Sequence, residues 1–190
     1  MALSMRDVVN VPAASIWLAL LGTPAYGNAD MDHQNPFVDM ARVLQHPRCM
    51  NCHTGEDFPR QSDDAHRHQM NVTRGSEDSG AAGLHCSACH QEQNQRFSGV
   101  PGAKGWRLAP RKMRWEGLSV GELCHSLLDP AHGAMKANEF SAHFASPLVR
   151  WAWTPGWHPN GQLRHPPPLS YQQFLVLSAR WVAAGTPCPK

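Results

Sequence analysis

The sequence predicts a mainly α fold in which short helices are joined by long loops rich in Gly, Pro and Trp. Three observations carry this expectation. Apolar residues recur at a spacing of three and four in several segments, each with a recognisable cap. No run of useful length alternates apolar and polar residues as a half-buried strand does. Stretches dense in Gly and Pro, drawn from 15 Gly and 16 Pro in 190 residues, separate the periodic segments.

The elements follow in chain order. Residues 1–29 read as an export signal. Arg6 is the only base ahead of the apolar stretch 8–21, and the small residues Ala25, Gly27 and Ala29 suit a cleavage site. Asp7 and Pro12 weaken the pattern, and an apolar run this short and interrupted is a poor spanning helix. Residues 30–190 then form the mature domain. A helix runs from Pro36 toward Arg48 and ends at His46-Pro47. Asn35 is its N-cap, Pro36 takes the first helical position, and Phe37, Met40, Ala41, Val43 and Leu44 form its apolar face.

Residues 54–83 are polar and Gly-rich and read as loop, as do residues 98–110. Ser119 starts a helix and Glu122 completes a capping box; Asp129-Pro130 stops it. Another helix spans about 137–145 and ends at Pro147. Residues 151–168 read as extended, with Trp151, Trp153 and Trp157 as packing residues. Ser170 caps the last helix, whose buried face is Phe174, Leu175, Leu177, Ser178, Trp181 and Val182. Gly185 and Pro187 follow it.

The chemistry lies in a short motif that occurs twice: Cys49-Met50-Asn51-Cys52-His53 and Cys86-Ser87-Ala88-Cys89-His90. Two thiols at i and i+3 sit one turn apart, where each can form a thioether to a vinyl edge of haem. The next residue, a His, then lies under the iron. The sequence therefore predicts two covalently bound c-type haems, with Cys49, Cys52, Cys86 and Cys89 as attachment points and His53 and His90 as proximal iron ligands. The competing reading is a zinc-binding interaction module that uses the same four cysteines. It leaves both histidines unexplained, and its spacer, 86 − 49 = 37, exceeds the ~15–20 residues of a compact ribbon.

Several residues compete for the sixth coordination positions. Met113 sits in a loop among basic residues, where a core role is not expected. His68 is the next candidate, and His66 and His143 are weaker ones. A thioether ligand would raise the reduction potential relative to a second imidazole. The remaining cysteines, Cys124 and Cys188, are expected to form a disulfide in an oxidising compartment. The basic stretch Lys104, Arg107, Arg111, Lys112 and Arg114 suits propionate pairing or the docking of an acidic redox partner. A formal charge of +2 is not the balance of a nucleic-acid-binding protein.

A helix leading into Cys-x-x-Cys-His, a Lys112-Met113 loop followed by an aromatic, and a terminal helix together resemble the class I c-type cytochromes. Met113 lies 113 − 53 = 60 residues after His53, similar to the distance to the axial Met in that group. The second motif, inside the intervening loop, departs from it. The fuller pattern resembles a small dihaem family labelled isoquinoline 1-oxidoreductase subunit. It is carried by His46-Pro47-Arg48-Cys49, Val100-Pro101-Gly102-Ala103, Leu108-Ala109-Pro110, residues 147–153 and residues 181–189. The resemblance implies cytochrome c-like helices and loops wrapped around two haems. It also implies a redox partner, such as a molybdenum hydroxylase, and an electron-transfer role without substrate chemistry. The expected setting is periplasmic, with no stable membrane span after cleavage, because c-type haem is attached outside the cytoplasm. A peroxidase-like haem enzyme with an open iron position is the alternative from another class.

Overall fold

The computed structural model describes residues 35–133, 135–158 and 161–190. The export signal lies outside them. The described chain is mainly α: α1 (Pro36–Leu44), α2 (Pro47–Met50), α3 (Val120–Leu128), α4 (Ala137–Phe144), α5 (Pro147–Arg150) and α6 (Tyr171–Ala183). Four two-residue strands form two antiparallel hairpins. β1 (Arg60–Gln61) pairs with β2 (His66–Arg67), and β3 (Gly80–Ala81) pairs with β4 (Leu84–His85). Among the described residues no helix is long and apolar enough to cross a membrane.

Local chemistry sets the helix limits. The Asn35 side chain accepts the Phe37 N–H at 3.0 Å, and Pro36 opens α1. The expected single helix toward Arg48 is instead two. His46 precedes Pro47, which disfavours helical ψ, and it adopts ψ 146°. Pro47 then begins α2, which delivers Cys49. Ser119 and Ser170 cap α3 and α6, each with a complete capping box. The hairpins lie in the segment read as loop. Strands of two residues are too short to leave an alternating pattern.

α1 packs against α6 and α3, and α4 packs against α6. The core holds Phe37, Met40 and Val43 from α1, Leu123 and Leu127 from α3, Phe140 and Phe144 from α4, and Phe174, Leu177 and Trp181 from α6. Each such side chain contributes about 1.5–3 kcal/mol on burial. Trp181 is fully buried beside Phe37 and Phe140, and its indole N–H donates to the Pro187 carbonyl at 3.1 Å. The same carbonyl accepts from Asn35 at 3.0 Å, so both ends of the described chain close on one point.

Cys124 and Cys188 are bonded as expected, with Cα atoms 5.5 Å apart. The link joins α3 to the tail after α6 across 64 residues. Replacing both cysteines with serine is expected to lower stability by about 2–5 kcal/mol, read as a lower urea midpoint with little change in the folded far-ultraviolet spectrum.

Candidate functional site

The two motifs adopt the same turn. The His53 N–H donates to the Cys49 carbonyl at 3.1 Å, and the His90 N–H donates to the Cys86 carbonyl at 2.9 Å. The second cysteine of each motif donates to the first at 3.1 and 3.2 Å. One helical turn thus sets two thiols and an imidazole on one side of the backbone, once on α2 and once on a short 3-10 turn at Cys86–Ala88.

Each turn faces a cavity. The smaller, about 320 Å³, is lined by Cys49, Cys52, His53, Met113, Trp115 and His143. The larger, about 820 Å³, is lined by Cys86, Cys89, His90, His68 and Met70, and by Cys52 as well. Both volumes fall in the ordinary range of cofactor pockets, about 300–1,000 Å³. Arg48, Trp106 and Trp151 line both cavities, so the two spaces share a wall. A four-thiolate zinc site needs its sulfurs at one point. Cys52, Cys86 and Cys89 line the larger cavity and Cys49 lines only the smaller one; among the described residues no three His, Cys, Asp or Glu side chains group to hold a metal.

The imidazoles are held alike. His53 Nδ1 lies 3.1 Å from the Met113 carbonyl, and its ring stacks on Trp115 at 3.4 Å between centroids. His90 Nδ1 lies 2.7 Å from the Pro101 carbonyl, and its ring stacks on Trp106 at 4.5 Å. A carbonyl only accepts, so in both rings Nδ1 carries the proton and Nε2 keeps its lone pair. Burial drives the His53 pKa down to about 3, with the nearby His143 acting in the same direction and the Met113 carbonyl opposing. Burial also lowers His90, and His68 adds to it. Both rings are neutral at ordinary pH, the form that binds a metal.

The thiols are tuned the other way. Burial pushes Cys49 up to about 12 and Cys52 up to about 11, with Cys86 adding to the rise at Cys52. These sites favour a neutral sulfur, as a thioether is, over a thiolate. Cys52 and Cys86 lie close enough to interact electrostatically, so the two motifs are neighbours.

The sixth-ligand candidates separate. His143, on α4, is half-buried on the wall of the smaller cavity, and burial lowers its pKa. His68 lines the larger cavity with its ring centroid 5.9 Å from that of His90; its Nδ1 bonds the Gln69 carbonyl at 2.8 Å, which frees Nε2. His66 lines neither cavity and pairs with Asp64 at 2.6 Å. Met113 lines the smaller cavity, but its own carbonyl receives His53 Nδ1, on the side of that ring remote from Nε2. Of the basic stretch, Arg107 lines both cavities, whereas Arg111 pairs with Asp57.

One glycine fixes the second site. A Cβ at Gly102 would lie 2.4 Å from the carbonyl oxygens of both Gln91 and Gln93. Only glycine lets the chain pass here and present the neighbouring Pro101 carbonyl to His90. Sequence reading did not single out Arg48, Trp106 or Asp63 for the site. Asp63 gathers the Arg164 guanidinium at 3.0 Å, His158 at 3.1 Å and the His165 N–H at 2.8 Å. No residue-type pattern announces partners a hundred residues away.

A c-type haem fits each donor set: two thiols one turn apart, an imidazole with a free Nε2, and a tryptophan stacked on that imidazole. No family model, curated protein or solved structure matches the chain.

Asp63 supplies a pH test. Burial opposes its ionisation, but the His165 N–H and Arg164 hold its pKa down at about 2 against an ordinary 3.8. A depressed carboxylate stabilises the fold above its unfolded pKa and loses that contribution as pH falls through the folded one. Discounted for solvent screening, Asp63→Asn is expected to cost about 1–2 kcal/mol near pH 6. In urea titrations the gap from wild type should close between about pH 4 and pH 2.

Proposed function

We propose that this chain is a dihaem c-type cytochrome that carries electrons, with no substrate chemistry of its own. One observation carries the reading. Each Cys-x-x-Cys-His turn lines a cavity with Nδ1 of its histidine tied to a carbonyl and Nε2 free; His143 shares the smaller cavity's wall, and His68, His85 and His158 share the larger one's. Cys49, Cys52 and His53 would hold one haem, and Cys86, Cys89 and His90 the other. When bound, the haems supply one-electron oxidation and reduction of iron.

The chain's part is to hold and insulate. The carbonyl bonds fix the tautomer and orientation of His53 and His90 and raise their basicity as ligands. Trp115 and Trp106 lock the ring planes. Core side chains, among them Leu44, Trp115, Phe144 and Phe174, line the smaller cavity. The wall shared through Cys52, Trp106 and Trp151 sets the two sites side by side, the arrangement required for transfer between them.

For the sixth positions His143 and His68 are favoured over Met113. Met113 and His143 both line the smaller cavity, but the Met113 carbonyl is already engaged by His53 Nδ1, on the side of that ring remote from Nε2. His53 with His143, and His90 with His68, would hold the two haems through imidazoles, which would favour a carrier over an enzyme with an open iron and would give lower reduction potentials than a thioether ligand. An exported location and a molybdenum hydroxylase or other dehydrogenase as electron donor complete the proposal, resting on the motif chemistry and the family resemblance.

Mass analysis of denatured protein, produced with a haem-attachment system, should show two covalent haems per chain. An unmodified chain that binds zinc through its thiols would contradict the proposal. His143→Ala and His68→Ala should each convert one of the two haems from low spin to high spin in the ferric absorption spectrum. Met113→Ala should leave both low-spin.

A further inference from the structure

The larger cavity has a strongly one-signed wall. Five arginines line it, Arg48, Arg60, Arg96, Arg107 and Arg164, and among the described residues that line it there is no Asp or Glu. Most of this charge is ordinary. Arg60 reaches Glu56 and Glu116, and Arg96 is exposed. Arg48 and Arg164 differ, because both are nearly withdrawn from solvent.

The Arg48 residue is only 4 % exposed. Its guanidinium donates to the His165 and Thr154 carbonyls at long distances, 3.4 and 3.2 Å, and lies over the Trp151 ring. It has no carboxylate partner among the described residues. The Arg164 side chain is 9 % exposed; its Nε bonds Asp63, but its Nη2 is buried with no hydrogen-bond partner among the described residues. Arg164 also disfavours the charge on Arg48, which sets the two cations near one another. Asp63 is the carboxylate that answers both.

This is not how a purely structural arginine is treated in the same fold. Arg74 is equally buried, yet it donates to the Thr54, Glu56 and Ala109 carbonyls and to Asp78. A buried guanidinium with a free N–H leaves an unmet hydrogen-bonding demand. An anion brought against the wall that both arginines line would meet it. Gly156 is part of the same device. A Cβ there would lie 3.2 and 3.3 Å from Nη2 and Nη1 of Arg48, so glycine leaves the guanidinium its place at the cavity wall.

We propose that Arg48 and Arg164 form a built carboxylate subsite in the larger cavity, and that it takes a propionate of the haem held by Cys86 and Cys89. The inference rests on the dihaem reading. Guanidinium and carboxylate match in geometry as well as charge, and two guanidiniums lining one cavity suit a single carboxylate. Arg48 precedes Cys49 and lines both cavities, so the subsite ties the second haem to the turn that holds the first.

The test is Soret-excited resonance Raman spectroscopy of the holoprotein, in which the propionate-bending band reports hydrogen bonding to the haem carboxylates. Arg164→Gln should shift part of that band to lower wavenumber, and Arg164→Lys should restore part of the shift. Arg48→Gln is the second variant, because it leaves Asp63 with its Arg164 partner and does not depend on that cluster for folding. An unmoved band in both glutamine variants, with two haems still attached, overturns the subsite. Fewer than two haems on the wild-type chain overturns the dihaem reading itself and is seen before any Raman spectrum is recorded.

Discussion

Everything in the candidate site depends on one hydrogen bond made twice: the Nδ1–H of a motif histidine to a distant backbone carbonyl. His53 reaches Met113 across 60 residues, and His90 reaches Pro101 across 11. A bond of this kind contributes only about 1 kcal/mol to stability. Its importance is directional. It fixes which nitrogen carries the proton, and so which nitrogen can bind metal. It also fixes where the intervening chain must run, because the loops have to bring those carbonyls to the rings. Trp115 and Trp106 follow each carbonyl within a few residues and stack on the ring that it orients.

The two sites are built on unlike supports. His53 belongs to the packed half of the molecule, where Trp115, Phe144 and Phe174 connect its cavity to the helical core. His90 sits among loops and two-residue hairpins, with Gly102 permitting the close approach of neighbouring chain segments. Its cavity is larger and bordered by exposed apolar side chains such as Phe97 and Met70. Arg48 and Trp151 join the halves, since both touch both cavities. The disulfide and the Pro187 carbonyl close the helical half at its far end. The second motif is held by its own loops, through the Pro101 carbonyl on His90 and the Ser79 carbonyl that accepts the Cys86 N–H.

How far the sequence disclosed this follows from the range of each interaction. Helices α1, α3, α4 and α6 were legible because caps and 3–4 spacing are local signals. The break between α1 and α2 was legible at His46-Pro47, although the new helix beyond it was not. The hairpins were not legible, because two residues cannot display alternation. In the site, the motif thiols and histidines announce themselves by spacing, and the Cys124–Cys188 bond followed once the other four cysteines were assigned. The second histidine on each cavity wall was visible only as one of several candidates. Whether His143, His68 or Met113 faces a given ring is decided by tertiary packing over tens of residues. Arg48 and Arg164 were invisible for a stronger reason: arginine is nearly always exposed, and only the fold reveals these two as buried.

In the proposed carrier His143 would share an iron with His53, and His68 would share one with His90. Electron paramagnetic resonance of the ferric holoprotein, together with its near-infrared spectrum, tests this central claim most directly. The account predicts two low-spin ferric centres, no high-spin signal and no Met–iron charge-transfer band. A Met–iron band, or a high-spin signal from either haem in the wild-type chain, would contradict it.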